Sequence, residues 1–227
     1  MGCVGTCRHV LFFHKTNSTK MSKYIISPCA RSDVDPVKHE YTSPDFRGPI
    51  GRSLLTPRMK LYVQGTCLFD LTTPYRAKTE QLTIVLDEET TKSLEDYFST
   101  ISTQSASSFV AGGVFKHDFP TEVVRNKFVS PLAKKNGIGA LCPTVDPEGV
   151  DTSPTIVVAS GPNESGDDYV YEEGNVNDLR SVSDGGKGLL PGATVITLLE
   201  EMGMWVKRNG SSGMKLRVAN LKIIPTL

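Results

Sequence analysis

The 227-residue sequence predicts a mostly β protein, a small barrel or sandwich with one helix, long inserted loops and an extended N-terminal arm. Short apolar runs with strand alternation recur along the chain and are separated by many of its 20 glycines and 14 prolines. A single segment shows the apolar spacing of an amphipathic helix. No apolar run approaches the roughly 20 residues of a membrane span. The formal net charge of zero excludes a uniformly basic nucleic-acid binder, so any such function depends on where the charges lie.

Residues 1–20 form a leader whose role stays open. Its first six residues fit the myristoylation pattern, with Cys3 and Cys7 as palmitoylation sites, and this would make the protein a lipid-anchored adaptor at a membrane. The other reading is that translation starts at Met21 and that the leader is upstream sequence. Cys3 and Cys7 with His9 and His14 match the spacing of no common zinc module, so no metal site is predicted.

The cysteines predict a reducing intracellular compartment, which would be the host nucleus or cytoplasm if the protein is viral. There are five of them, an odd number, and they are widely spaced with no secretory signal ahead of them. Residues 21–58 are the predicted arm, since 30–58 are rich in Pro, Ser, Asp and Arg and show no helical or strand period. Residues 59–227 are predicted to form a single domain.

Within that domain, residues 60–71 alternate as a long strand and residues 82–86 as a second one. Asp87 is expected to cap a helix that runs to about Ser102, because three acidic residues open it. Its buried stripe would hold Leu94, Tyr97, Phe98 and Ile101. Residues 103–108, rich in Ser, Thr and Gln, are predicted to be a loop.

Later strands are predicted at 128–129, at 155–159, at 193–207 as two strands or one kinked strand, and at 214–224. An acidic loop near 161–188 separates the second of these from the third. The inward period slips at Ala219 and Asn220, which indicates a β-bulge of the kind found where small barrels bend.

The C-terminal hairpin carries the main functional signal. Trp205 and Lys207 are predicted on one face of the incoming strand, and Lys215 and Arg217 on the same face of the returning strand, with no carboxylate in the hairpin beside them and a flexible polar turn between. Bases stack on such a ring while cations neutralise phosphates, so this face suits single-stranded nucleic acid. The opposing interpretation is that Trp205 caps the core and the cations protect an edge strand. The candidate contacts are Trp205 and Tyr62 for stacking, Lys60, Lys207, Arg208, Lys215 and Arg217 for phosphate, and Lys127, Phe128, Lys134 and Lys135 on an adjacent loop.

Signals for catalysis are weak, and the sequence predicts neither an enzyme nor a cofactor. The glycines around Lys187 lack the spacing of a Walker motif. No His, Cys and acid cluster suggests a catalytic triad. The paired acids at 167–168 and 172–173 read as solvated surface rather than as a metal site.

The order of pieces across 60–227 resembles the single-stranded DNA-binding proteins of short-tailed phages and of large eukaryotic DNA viruses. The matching pieces are KLYV at 60–63, DLTTP at 70–74, the helix start at 86–95, LLPGATV at 189–195, MWV at 204–206 and GMKLRV at 213–218. The resemblance implies an OB-fold and a role in replication or recombination by coating single strands, with replication proteins as partners and a homo-oligomer as a further expectation.

Phage members of that family end in an acidic tail, whereas the acid of this sequence lies in the loop from 164 to 184. We therefore expect this loop to cover the basic face until DNA displaces it. The alternative function is a viral structural subunit, capsid or tegument-like, which would be a β-sandwich that self-assembles through its arm. The sequence does not indicate whether the protein prefers DNA or RNA.

Overall fold

The computed structural model of the protein describes the backbone of residues 35–40 and 51–56 and the whole of 60–73, 79–115, 118–145, 153–166 and 169–226. Residues 1–34, with Met1, Met21 and the leader cysteines, lie outside the described residues. No helix in the described part of the chain is long and apolar enough to cross a membrane.

The described residues form thirteen strands in one sheet and two α-helices. The elements are β1 (Asp35–Glu40), β2 (Gly51–Thr56), β3 (Lys60–Cys67), β4 (Glu80–Gln81), β5 (Ile84–Val85), α1 (Glu88–Ala111), α2 (Thr121–Asn126), β6 (Phe128–Val129), β7 (Leu132–Lys135), β8 (Ile138–Leu141), β9 (Thr144–Val145), β10 (Thr155–Pro162), β11 (Tyr169–Gly174), β12 (Thr194–Val206) and β13 (Ser212–Ile224).

The sheet has the order β11-β10-β13-β12-β3-β5-β8-β7 and curls back on itself. Strand β6 pairs with β13, and only Ser130 and Pro131 separate β6 from β7 at the far end of that order. The mostly β, OB-fold-like barrel that the sequence predicted is therefore confirmed. Apolar residues of β3, β12 and β13 fill its interior together with one side of α1.

The hairpin of β12 and β13 is the longest pairing and carries two bulges. Opposite β12, the register passes from Asn220 to Val218, so Ala219 is the extra residue, as the slipped period indicated. A second shift skips Met202 on β12. The strand at 193–207 is thus one kinked strand, which was one of the two forms expected. Bulges of this kind increase the local bend that a small barrel needs.

Helix α1 confirms the predicted start and corrects the predicted end. Asp87 caps it, since its Oδ1 accepts from the Thr90 N–H at 2.7 Å. The helix continues to Ala111, so residues 103–108 are helical and not a loop. The Ser107 hydroxyl donates to the Thr103 carbonyl at 3.1 Å, which satisfies a polar group within the helix itself. Phe109 is fully buried and extends the apolar stripe by two turns.

Three other sequence predictions change in the structure. Strand β3 ends at Cys67 and not at 71, and Leu68 and Phe69 beyond it are exposed. Two stretches of the predicted arm, β1 and β2, form an antiparallel hairpin, and β2 pairs with β12 at 204–206. The sequence of these residues lacks strand alternation, so the hairpin was not predicted. Main-chain hydrogen bonds can pair such a segment with a sheet even where its side chains show no strand pattern.

Part of the predicted acidic loop is also a strand. β11 pairs with β10, and two short 3-10 turns follow it at Val176–Leu179 and Val182–Asp184. Arg180 joins the carboxylate of Glu80 through two hydrogen bonds of 2.9 and 3.2 Å. Buried Asp178 accepts from Lys187 at 3.1 Å. Residues 169–174 of this segment are therefore part of the sheet, and Asp167 and Asp168 lie outside the described residues.

Candidate nucleic-acid interface

One side of the sheet, which we call the outer face, points away from the apolar interior. Residues paired directly across neighbouring strands project to the same side, so the register identifies its members. The rows run from β3 through β12, β13 and β10 to β11. Its members include Lys60, Tyr62, Gln64, Ile196, Leu198, Glu200, Trp205, Lys215, Arg217, Lys222, Val157, Tyr171 and Glu173.

Trp205 lies at one end of the outer face and is half-buried. It is paired with Gly213, where an added Cβ would come within 2.5 Å of Trp205 Cζ2, so the ring occupies the space that a side chain at 213 would need. The Lys207 Nζ lies 5.0 Å from the ring centroid, within the range of a cation–π contact. The predicted pairing of tryptophan and lysine on one face is present in the structure.

The centre of the outer face carries a carboxylate that the sequence analysis did not place there. Glu200 of β12 is paired with Lys60 on one side and with Arg217 on the other. Its Oε1 lies 2.9 Å from Lys60 Nζ, and its Oε2 accepts from Arg217 Nη2 at 2.9 Å. The expectation that this face carries no carboxylate is therefore wrong. The pairing of β12 with β3 and β13 places Glu200 between Lys60 and Arg217, two of the predicted phosphate contacts.

This Lys60–Glu200–Arg217 cluster affects the acidity of its carboxyl. Partial burial raises the pKa of Glu200, but the hydrogen bonds from Lys60 and Arg217 outweigh burial and hold that pKa below its ordinary value of 4.5. Glu200 is therefore ionised at neutral pH and competes with any phosphate for both cations.

Two further predicted residues, Tyr62 and Lys215, lie on the outer face in rows next to the Lys60–Glu200–Arg217 cluster. Tyr62 is half-buried beside Leu198, one row beyond the cluster. Lys215 is exposed and is paired with Gly203, between the cluster and Trp205. An aromatic ring and a solvated lysine thus flank the cluster on either side.

The turn that joins β12 and β13 makes hydrogen bonds and contacts to neighbouring elements. The Lys207 N–H donates to the Ser211 carbonyl at 2.8 Å, and Lys127 Nζ donates to the Asn209 carbonyl at 2.8 Å. The Phe119 ring packs under Gly210. Arg208 lies in this turn and is half-buried. Lys127 is therefore brought to the tip of the hairpin, close to the Trp205 end of the outer face.

Phe128 and Lys134, two of the other candidates from the adjacent loop, are not on this face. Phe128 is paired with buried Ser212 and packs against the core, and it is Val129 that lies beside Gly213. Lys134 forms an ion pair of 2.6 Å with Glu95 of α1. Lys135 is exposed on β7, and the register through β5 and β8 places it on the same side of the sheet as the outer face, in the far part of the strand order.

The structure adds one aromatic and cation pair that sequence reasoning missed. Lys222 Nζ lies 3.8 Å from the ring centroid of Tyr171, and Tyr169 makes an edge contact with the same ring at 6.3 Å. The signal was present, since Tyr169 and Tyr171 stand two residues apart as strand neighbours do. Because acidic residues flank them, the segment was interpreted as a solvated loop.

The described residues contain no group of three or more His, Cys, Asp or Glu that could hold a metal ion. A cavity of about 370 Å³ lies where β3 separates from β5, lined by polar residues of the outer face such as Gln64 and Thr194. Cys67 is a core residue, and burial raises the pKa of its thiol to about 12. This thiol is therefore protonated at neutral pH and is not a nucleophile there.

Comparison with known proteins gives a weak structural similarity and no match to a family or to a curated protein. No protein-family model matches the sequence, and no curated protein matches it. Among solved structures the chain is similar to the single-stranded DNA-binding protein from bacteriophage Enc34, with a TM-score of 0.42 and 9% identity over 82% of this chain and 89% of that one. A similarity at this score and identity does not assign a function.

Proposed function

We propose that the protein binds single-stranded DNA on its outer face and catalyses no reaction. The observation that carries this proposal is the alternation of aromatic rings and cations along an open sheet surface, with Trp205 and Lys207 at one end and Tyr62 beside Lys60. Rings on such a surface stack with bases, at about 1–3 kcal/mol per base, and the stacking tolerates any sequence.

The charges of the outer face support this function in a chain whose net charge is zero. Its members include Lys60, Lys215, Arg217 and Lys222 against the carboxylates Glu173 and Glu200. In the acidic segment, Asp178 is paired with Lys187 and not with a cation of the outer face. The local surplus of cations lets a neutral protein attract a polyanion to one side only.

By coating single strands in this way, the protein would act in DNA replication or recombination. In that role it would protect exposed strands and remove hairpins, and replication proteins or further copies of the chain would be its partners. We expect the protein to bind single-stranded DNA more tightly than RNA, and affinities for DNA and RNA oligomers of the same length would measure this preference.

The test is a titration of the Trp205 fluorescence with oligo-dT at low and at moderate salt, with duplex DNA as the comparison. Trp205 is the single tryptophan of the sequence, so the signal reports one end of the outer face. We expect saturable quenching by the single strand, weakened by salt at a log–log slope of about −0.7 per phosphate contact, and much weaker quenching by duplex.

A matched pair of lysine variants separates site binding from general charge attraction. Lys215→Ala should weaken binding and reduce the salt slope by about 0.7, since it removes one phosphate contact. Lys92→Ala removes an exposed lysine from α1 and should leave both unchanged. No quenching by the single strand at low salt would refute the proposal, and light scattering would then test the alternative of a self-assembling structural subunit.

A further inference from the structure

The second aromatic and cation pair of the sheet lies far from the hairpin tip. Tyr171 belongs to β11, the last strand at one edge of the sheet, and Lys222 reaches its ring from β13 at 3.8 Å. Tyr169, which is 39% exposed, stands on the same strand with its ring inclined by 61° to that of Tyr171. Two tyrosines and a lysine thus form one cluster at the surface.

This cluster repeats the chemistry of the Trp205 end. In both places a lysine lies within cation–π distance of an aromatic ring, at 5.0 Å for Lys207 and Trp205 and at 3.8 Å for Lys222 and Tyr171. Each pair presents a π-face beside a positive charge, which is the combination that a base and its phosphate require.

The register places the two pairs at opposite ends of one path. Trp205 is paired with Gly213 near the start of β13, and Lys222 stands near its end. At about 3.3 Å per residue the path between them is about 30 Å along the strand, and it is shorter in a straight line because the sheet curls. Tyr62 lies between the two ends, in the row of Leu198 and Asn220.

We propose that Tyr171 and Lys222 form a second stacking site, so that a single strand crosses β13 diagonally from Trp205 to the β10–β11 hairpin. The inference rests on the proposed function and defines the extent of its site. In this proposal the hairpin of β10 and β11 contributes to DNA binding, although its sequence is rich in acidic residues. Contrary to the expectation from the sequence, it does not cover the basic face.

The charges around Tyr171 limit where a phosphate can lie. Glu173 is in the same row as Val157 and Lys222, so it faces the outer side as well. Glu172 is paired with Val158, whose parallel partner is buried Ile223, and it therefore projects to the other side of the sheet. A phosphate would approach Lys222 from the β12 side, where Ile196 is its neighbour and carries no charge.

The test compares two oligo-dT lengths in Tyr171→Ala and in Val170→Ala, with Trp205 quenching and a direct binding assay such as anisotropy as readouts. Val170 is a matched control, because it is 48% exposed on the same strand and adjacent in sequence. Oligomers of about 4 and about 16 nucleotides bracket the site sizes known for OB-folds.

We expect Tyr171→Ala to weaken binding of the long oligomer about tenfold, the effect of losing one stacked base. Trp205 quenching by the short oligomer should stay at the wild-type level, since that readout reports the other end. Tyr171→Phe keeps the ring and should restore long-oligomer binding, which separates stacking from a folding defect. Lys222→Ala should reduce the salt slope for the long oligomer by about 0.7.

Two outcomes distinguish failure of the inference from failure of the function. Equal affinity of Tyr171→Ala and Val170→Ala at both lengths, with wild-type protein binding normally, would overturn the second site and leave the Trp205 end intact. Absence of binding by the wild-type protein at either length would overturn the proposed function and the second site together.

Discussion

Replacing Glu200 by Gln is expected to tighten the binding of single-stranded DNA. In the wild-type protein the carboxylate holds Lys60 Nζ and Arg217 Nη2 at 2.9 Å each. A phosphate must displace it from one of these cations or share the cation with it. The Gln side chain has nearly the same shape and no charge, so the variant removes the competition while it keeps the packing.

The geometry gives the size of the effect. A phosphate bound by either cation would lie about 6 Å from the Glu200 carboxylate, where repulsion is about 0.7 kcal/mol in water and about 3 kcal/mol at an effective dielectric constant of 20. Glu200 is 22% exposed, which places it between these limits. We expect a gain near 1.4 kcal/mol, which is about tenfold in Kd.

The assay is the Trp205 titration repeated at several salt concentrations. If both cations become free to contact phosphate, the log–log slope steepens by about 1.4, and by about 0.7 if one does. Glu95→Gln is the matched control, because it breaks an ion pair between α1 and β7 that includes neither Lys60 nor Arg217. That variant should bind like wild type.

Unchanged or weaker binding by Glu200→Gln, with an unchanged salt slope, would refute this reasoning. It would mean that Glu200 positions Lys60 and Arg217 and that its charge does not compete with phosphate. The variant is expected to lose about 1 kcal/mol of folding stability from two partly exposed ion pairs, so thermal unfolding must be checked alongside.

Two further predictions concern the support of the site and the acid response of the fold. Gly213→Ala should shift Trp205 emission to longer wavelength and weaken DNA binding, because the new Cβ would meet the indole ring at 2.5 Å; an unshifted spectrum would contradict the packing described. Asp178→Asn should lower the melting temperature at neutral pH, since the hydrogen bond from Asn175 N–H, and secondarily Lys187, holds the pKa of Asp178 below 3.8. A carboxyl with a lowered pKa stabilises the fold above its unfolded-state value and loses that contribution as the pH falls through its folded-state value, so the two melting curves should converge as the pH falls below 3.8 through that lowered pKa. A difference in melting temperature that does not shrink at all as the pH falls below 3.8 would exclude this origin.

Local features of the fold were predictable from the sequence where neighbouring residues determine them. The Asp87 cap depends on a side chain and an N–H three residues apart, and the structure has that bond. The inward and outward sides of β13 follow from alternation, and the bulge at Ala219 follows from its interruption. The end of α1 was not predictable in this way. Its Ser- and Thr-rich turns are helical because Ser105 and Phe109 are buried against other elements.

The side of the sheet on which the hairpin candidates lie was predictable, and the charge balance of that side was not. Trp205, Lys207, Lys215 and Arg217 share a face because the hairpin alone places them there. Lys134 could not be separated from them by sequence, since its partner Glu95 lies 39 residues away on α1.

The strand-rich class, the start of the helix and the basic, aromatic side of the C-terminal hairpin could be predicted from the sequence, because each depends on spacings of a few residues. Which strands become neighbours depends on contacts between distant parts of the chain. The pairing of β12 with β3 brings Lys60 to Glu200, and the parallel pairing of β10 with β13 brings Tyr171 to Lys222. These contacts join residues far apart in the chain, and loop lengths and burial of the whole core select them, so no local pattern encodes them.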